Sequence, residues 1–226
     1  MFEGPFDESI VKRAQDKSLV EIKIHNLRDW ASDKRKTVDD KPYGGGVGMV
    51  MRVDVISRAI ENLKLKNENL RRTKTALLSP RGKVFNQEMA QELSKLDQLI
   101  LICGHYEGVD ERVSDHLVDE EISLGDFVLT GGEIPAMAIT DAVTRLIPGV
   151  LEKPEATGFE SFSKMVDGKW QMENLLEFPH YTRPEDFKGW KAPEVLLSGD
   201  HKKIEEWRKQ KALEKTKKSR PDLLEK

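Results

Sequence analysis

Short apolar runs alternate with amphipathic stretches along the first two thirds of the chain, and three of those runs end in glycine-bearing turns. Residues 75–78 lead into Ser79-Pro80-Arg81-Gly82, residues 98–103 into Gly104-His105-Tyr106-Glu107-Gly108, and residues 126–129 into Thr130-Gly131-Gly132. Continuous apolar runs of this length, separated by helical patterns, predict buried parallel strands. Helical periodicity covers residues 5–17 with Pro5 in the first turn, 53–66 with Ile56, Ile60 and Leu63 on one face, 86–96, and the largely apolar 136–146 behind Pro135. Val20, Ile22 and Ile24 alternate with polar neighbours and predict one further strand. The pattern predicts an α/β fold. Ligands of open α/β sheets bind beyond the carboxyl ends of the strands, where glycine lets the backbone approach a flat heterocycle such as adenine.

The pattern changes after residue 151. Residues 152–177 hold Pro154, Gly158 and Gly168 without a sustained period and predict a linker, and 178–226 predict a small helical module. Its longest helix should start at Asp200, an N-cap residue, and carry Ile204, Trp207 and Leu213 among lysines. Composition narrows the class further. With 226 residues the chain can bury one sizeable α/β domain plus an appendage, 1–151, 152–177 and 178–226 in this reading. No apolar stretch approaches the roughly 20 residues of a membrane span, so the expected location is the cytoplasm. The single cysteine, Cys103, excludes an intramolecular disulfide framework and a cysteine-based zinc site.

Two polar constellations carry candidate chemistry. Asp39, Asp40, Tyr43, Gly44, Gly45, Gly46 and Gly48 form a loop without the spacing of a dinucleotide fingerprint or a phosphate-binding loop. It is either a backbone-lined wall around a planar substrate or a flexible surface loop. His180 and Arg183 in His180-Tyr181-Thr182-Arg183-Pro184 could stack on a base and hold a phosphate, or form a capping turn. The basic run 202–218 is a solvated helix face or an RNA contact; its tether to a ligand-binding domain favours RNA.

The strings Thr37-Val38-Asp39-Asp40-Lys41-Pro42-Tyr43-Gly44-Gly45-Gly46, Leu78-Ser79-Pro80-Arg81-Gly82, Cys103-Gly104-His105-Tyr106-Glu107-Gly108, Gly125-Asp126-Phe127-Val128-Leu129-Thr130-Gly131-Gly132-Glu133 and Pro179-His180-Tyr181-Thr182-Arg183-Pro184 stand in order along the chain. So do Arg145-Leu146-Ile147-Pro148-Gly149 and Leu196-Leu197-Ser198-Gly199-Asp200-His201. In this the chain closely resembles the bacterial tRNA (guanine-N1)-methyltransferases. The resemblance implies a homodimer whose parallel-sheet domain ends in a trefoil knot, followed by a small helical tRNA-binding domain. It also implies S-adenosylmethionine as methyl donor, N1 of the guanine at position 37 of tRNA as acceptor, and magnesium as a further candidate cofactor. The donor pocket it implies comprises Leu78, Ser79, Pro80, Gly104, Tyr106, Glu107, Gly108, Leu124, Gly125, Asp126, Phe127, Val128, Leu129, Gly131, Gly132 and Pro135. Arg145 matches the family's catalytic arginine, and Glu160 stands where the family usually carries its catalytic aspartate.

Three departures qualify this expectation. The family's usual strand before the Met-Phe pair is missing, which should leave a gap in the sheet; Arg35 replaces a frequent histidine; and Glu160 is one methylene longer than aspartate. The alternatives are a related knotted RNA methyltransferase acting on another base or a ribose hydroxyl, and a non-catalytic RNA-binding relative.

Overall fold

A computed structural model describes residues 1–66, 70–153, 160–166, 169–172 and 174–225. They fall into two compact units, Met1–Glu152 and Lys153–Lys226.

The first unit is built on a parallel sheet of order β4-β3-β5, formed by β3 (Thr73–Val84), β4 (Gln98–Cys103) and β5 (Glu120–Ser123). Side chains alternate across the central strand, and both faces are covered, as a parallel sheet requires. Ala76 and Leu78 pack with Ala90 and Leu93 of α3 (Gln87–Leu93) and with Ala136, Ile139 and Val143 of α5 (Glu133–Thr144). Leu77 points the other way, to Ile102, to Ile56 and Ile60 of α2 (Val53–Leu65) and to Val113 of α4 (Glu111–His116). Helix α1 (Ser9–Asp16) buries Val11 and Ala14. A two-residue hairpin, β1 (Asp39–Asp40) with β2 (Val50–Met51), completes the unit.

Caps set several helix starts. Asn86 accepts a hydrogen bond from the Met89 N–H (2.9 Å) ahead of α3, and Asp110 accepts one from the Arg112 N–H (3.1 Å) ahead of α4. Asp119 fixes the start of β5 in the same manner: its Oδ2 accepts from the Thr75 N–H (2.6 Å) and its own N–H donates to the Thr75 carbonyl (2.9 Å). Thr75 is fully buried, so this pairing satisfies backbone groups that water cannot reach.

Four expectations about the first unit need correction. Pro5 lies outside α1, because residues 4–7 form a turn closed by the Asp7 N–H on the Gly4 carbonyl (3.0 Å). Residues 20–24 are not a strand; Ile24 is exposed. Strand β3 does not stop at Leu78 but runs on to Val84 through a register shift between Leu78 and Lys83, where residues 79–82 bulge from the ladder on β5. The third strand is Glu120–Ser123 and not the run 126–129, of which Val128 is 84% exposed. The two glutamates hide β5 from an apolar search, yet each has a partner: Lys74 sits 2.8 Å from Glu120, and the Ser114 hydroxyl donates to Glu121.

The second unit contains β6 (Ser163–Val166) paired antiparallel with β7 (Lys169–Met172), a short hairpin of β8 (Asp186–Phe187) with β9 (Trp190–Lys191), α6 (Glu194–Leu197) and α7 (His201–Ser219). Residues 152–177 are therefore more than a connector, since they hold the β6–β7 pair; Pro154, Gly158 and Gly168 lie outside the described residues. Asp200 caps α7 by accepting from the Lys203 N–H (3.2 Å). Buried Thr216 donates its hydroxyl to the Ala212 carbonyl (2.8 Å) and accepts from the Leu176 N–H (2.8 Å), tying the segment before residue 177 to α7. Among the described residues no helix is long and apolar enough to cross a membrane.

The strand correction predicts opposite responses to two truncations. Ile122→Ala removes a core side chain that is 1% exposed and should cost about 2–5 kcal/mol. Val128→Ala should stay within about 0.5 kcal/mol. Urea unfolding of the two variants checks the contrast, and equal losses would return the run 126–129 to the core.

Candidate functional site

The site grows from the carboxyl ends of the three parallel strands. After β4, residues 104–108 form a tight turn in which the Gly108 N–H donates to the His105 carbonyl (3.1 Å). Tyr106 takes a left-handed φ of +59° there, and Gly108 one of +130° that a side chain would rarely adopt. The chain leaving β5 returns to this turn: His105 and Gly131 form an antiparallel bridge, and the Gly132 N–H donates to the Gly104 carbonyl at 2.8 Å. A Cβ on Gly132 would lie 2.6 Å from the Cys103 Cα, so only glycine permits the contact.

Two further walls close on this pair of turns. At the bulge of β3, the Arg81 N–H donates to the Ser79 hydroxyl (3.2 Å), and the Arg81 guanidinium sits 2.8 Å from the Glu111 carboxylate. That ion pair raises the Arg81 pKa above the ordinary arginine value. On the other side, the loop between β1 and β2 is sewn to the turn after β4. The Met51 N–H donates to the Gly108 carbonyl (2.9 Å), and the Glu107 N–H donates to the Met49 carbonyl (3.1 Å). Gly48 lies so near Glu107 that a Cβ would stand 2.6 Å from its Oε1.

A cavity of about 420 Å³ lies between these walls. That is within the roughly 300–1,000 Å³ of small-molecule sites. Of the donor-pocket residues expected from the sequence, Leu78, Ser79, Pro80, Gly104, Glu107, Gly108, Leu124, Phe127, Leu129, Gly131, Gly132 and Pro135 line it. Tyr106, Gly125, Asp126 and Val128 do not line it; Tyr106 is half exposed. Gly125 nevertheless shapes the wall, because its carbonyl accepts from the Phe127 N–H (2.9 Å) and from the Ser123 hydroxyl (3.0 Å). Sequence reasoning missed Leu77, Arg81, Val109, Glu111, Ile122 and Ser123. Ile122 and Ser123 were lost with the misplaced third strand, whereas Arg81 follows directly on Ser79-Pro80 and was within reach.

The remaining candidates are distributed over both units. Asp39 and Asp40 lie on β1; Tyr43 is almost wholly exposed, and Gly44 and Gly45 face open space. Arg145 caps the carboxyl end of α5, half-buried. Glu160, His180 and Arg183 belong to the second unit. The Glu160 carbonyl accepts from both the N–H (3.2 Å) and the hydroxyl (3.0 Å) of Ser163, which is 5% exposed, so the backbone at 160 is anchored. His180 Nε2 is 2.7 Å from Glu177 Oε1, and its ring stands 4.8 Å from that of Phe178. Cys103, beside the cavity, has its thiol pKa pushed up to about 12 by burial and, secondarily, by Glu133, which makes it an inert packing residue. Among the described residues no three His, Cys, Asp or Glu side chains converge on a metal site.

A family model described as tRNA (Guanine-1)-methyltransferase matches residues 1–226. Curated relatives named tRNA (guanine-N(1)-)-methyltransferase include those of Dictyoglomus turgidum, 57% identical over 226 residues, and Citrifermentans bemidjiense, 54% identical over 225 residues. In both cases the match spans 100% of this chain and 86% of the relative. The relative from Clostridioides difficile is 49% identical over 226 residues, which make up 94% of its length.

The contact at Gly132 yields a prediction independent of chemistry. Gly132→Ala forces its Cβ into the Cys103 backbone and should cost about 1–3 kcal/mol while separating two walls of the cavity. Thermal unfolding together with S-adenosylmethionine titration checks it; unchanged values of both would mean that the turns are not held by this contact.

Proposed function

Since the chain belongs to the tRNA (guanine-1)-methyltransferase family, we propose that it transfers a methyl group from S-adenosylmethionine to N1 of the guanine at position 37 of tRNA, acting in the cytoplasm as a homodimer. The observation that carries this reading is the cavity at the carboxyl ends of three parallel strands, walled by Gly104, Gly108, Gly131 and Gly132. Glycines at four wall positions let the main chain line the cavity without intervening side chains, so a flat ring such as adenine can approach it closely. The trefoil knot is part of the proposal. Its support is the path of the chain, which leaves β5 on one side of β3 and reaches Gly104 at the end of β4 on the other side, past the bulge at residues 79–82.

S-adenosylmethionine supplies an electrophilic methyl group on a sulfonium sulfur, so the chain's own residues must make the acceptor nitrogen nucleophilic and hold it in line. Guanine N1 carries a proton and attacks poorly until that proton leaves. Glu160 is the proposed base: its carboxylate takes the N1 proton, and its backbone is anchored by Ser163. As the proton departs, negative charge spreads to O6 of the base, and the Arg145 guanidinium is the proposed cation that stabilises it. Glutamate and aspartate differ by only about 0.4 units in intrinsic pKa, so the longer side chain preserves the chemistry. Glu177 is a weaker choice of base, because its carboxylate is engaged with His180; Asp167 lies outside the described residues.

The other expected groups follow the same reading. Asp39, Asp40, Tyr43 and the glycines 44–46 and 48 would frame the guanine beside Glu107. His180 and Arg183 would meet the RNA. Magnesium ordinarily needs only one or two protein carboxylates beside phosphates and water, and Glu107 would supply one here. Tyr106, Asp126 and Val128 would reach the donor site from its rim. Arg145 and Glu160 would serve one site from two subunits, an arrangement favoured by Ile134, on the apolar helix α5, being 47% exposed.

Mass spectrometry of tRNA incubated with enzyme and donor tests the reaction. Methyl at N1 of guanine 37 is expected; methyl elsewhere indicates a related methyltransferase, and none indicates a binding protein. Glu160→Gln should lower the single-turnover rate by about 100-fold or more with tRNA and donor affinities nearly unchanged. Glu160→Asp should keep much of the activity. Mixing Arg145→Ala and Glu160→Gln subunits should partly restore activity, since a mixed dimer then holds one site with both residues intact. Verified subunit exchange without recovery would exclude the shared site.

A further inference from the structure

We infer that the β8–β9 hairpin is a base-stacking platform, on which Phe187 and Trp190 receive an unpaired nucleotide of the RNA while Lys188 and Lys191 attend its phosphates. The inference deepens the tRNA reading and rests on it. Phe187 and Trp190 are direct cross-strand partners, so their rings share one face of the hairpin. The centroids stand 5.9 Å apart with the planes tilted by 56°. These rings are far from the core: Phe187 is 51% and Trp190 74% exposed. Two large rings held side by side in water do not stabilise the fold by burial, and their function must lie in what they meet.

The hairpin is rigid for its size. Lys188 and Gly189 both have positive φ, +56° and +85°, the requirement of the tight two-residue turn that matches strand twist. Asp186 Oδ1 accepts from the Gly189 N–H (2.8 Å), and the Ala192 N–H donates to the Glu185 carbonyl (2.8 Å) at the base. The rings are thus preorganised, which reduces the ordering cost of binding.

Charge selects the occupant. The carboxylate of Asp186 is turned onto the Gly189 N–H, whereas the Lys188 ammonium lies 5.4 Å from the Phe187 ring centroid, and Lys191 is exposed. Glu185 stands at the base of the hairpin and Glu194 opens α6 three residues beyond Lys191. The same unit carries eight Lys and Arg against three Glu between residues 202 and 218, a local excess suited to a polyanion. Aromatic rings flanked by lysines accept any base, because every base offers a π face.

The test uses the full chain, a labelled tRNA transcript and fluorescence anisotropy. Trp190→Ala and Phe187→Ala should each weaken tRNA binding by about fivefold or more, the usual scale for loss of a stacked base. They should raise the KM for tRNA and leave kcat, donor affinity and melting temperature nearly unchanged. Trp190→Phe keeps a ring and should stay within about twofold of wild type. Bound tRNA should quench tryptophan emission more in wild type than in Trp190→Phe. Alanine variants that bind tRNA as wild type does overturn the platform alone, as do variants that change the sedimentation of the protein with tRNA affinity unmoved, which would mark a protein interface. A wild-type chain that binds no tRNA overturns the platform together with the tRNA reading.

Discussion

The geometry of the cavity hangs on one main-chain hydrogen bond, from the Gly132 N–H to the Gly104 carbonyl at 2.8 Å. It joins the turn after β4 to the segment that enters α5, so the sheet, the cavity and the helix that ends at Arg145 share one anchor. The contact exists because position 132 lacks a Cβ, with the Cys103 backbone filling the space one would need. Two further stitches beside it are also backbone bonds, between Met51 and Gly108 and between Glu107 and Met49. A pocket made from peptide groups keeps its shape without relying on rotamers, which suits recognition of the flat edge of a heterocycle.

Charged side chains have a different task, holding the periphery in place. Asp54 accepts from the Arg52 Nε (3.0 Å) and from an Arg58 guanidinium nitrogen (3.0 Å), and Arg58 also donates to the Trp30 carbonyl (2.8 Å). This network lowers the Asp54 pKa, with Arg52 the main cause. It fastens the loop before β1 to α2 and thereby supports the loop that stands beside Glu107. Asp97 likewise accepts from the Arg71 and Arg72 N–H groups, which sets the start of β3 beside β4. The interior carries packing, and the rim carries orientation.

The chemistry proposed for the site divides labour between the units. Arg145 caps a helix packed on the sheet through Ala136, Ile139 and Val143, whereas Glu160 rides on a segment held by Ser163 and by the Phe162 N–H on the Leu175 carbonyl (2.9 Å). Donor binding needs rigidity, and bringing a large RNA over the donor needs a second element. Under the proposal, the unit Met1–Glu152 would hold the donor and the unit Lys153–Lys226 would meet the RNA.

The sequence by itself determined the α/β class, strand β4, helices α2, α3 and α5, the Asp200 cap, and the resemblance that the family match confirms. These features are local, or rest on whole strings of residues, and so can be read along the chain. Only the tertiary structure decided which segment became the third strand. Glu120 and Glu121 can enter β5 because Lys74, Ser114 and Arg81 meet them there, while Phe127 and Val128 stay outside in a loop whose conformation is set by Ser123 and Gly125. Partners such as Lys74 and Glu120 are 46 residues apart in sequence, and no periodicity links them. The same limit hid Glu111 as a wall residue. Burial, charge pairing and the room for a Cβ are properties of neighbours in space, and the sequence lists only neighbours along the chain.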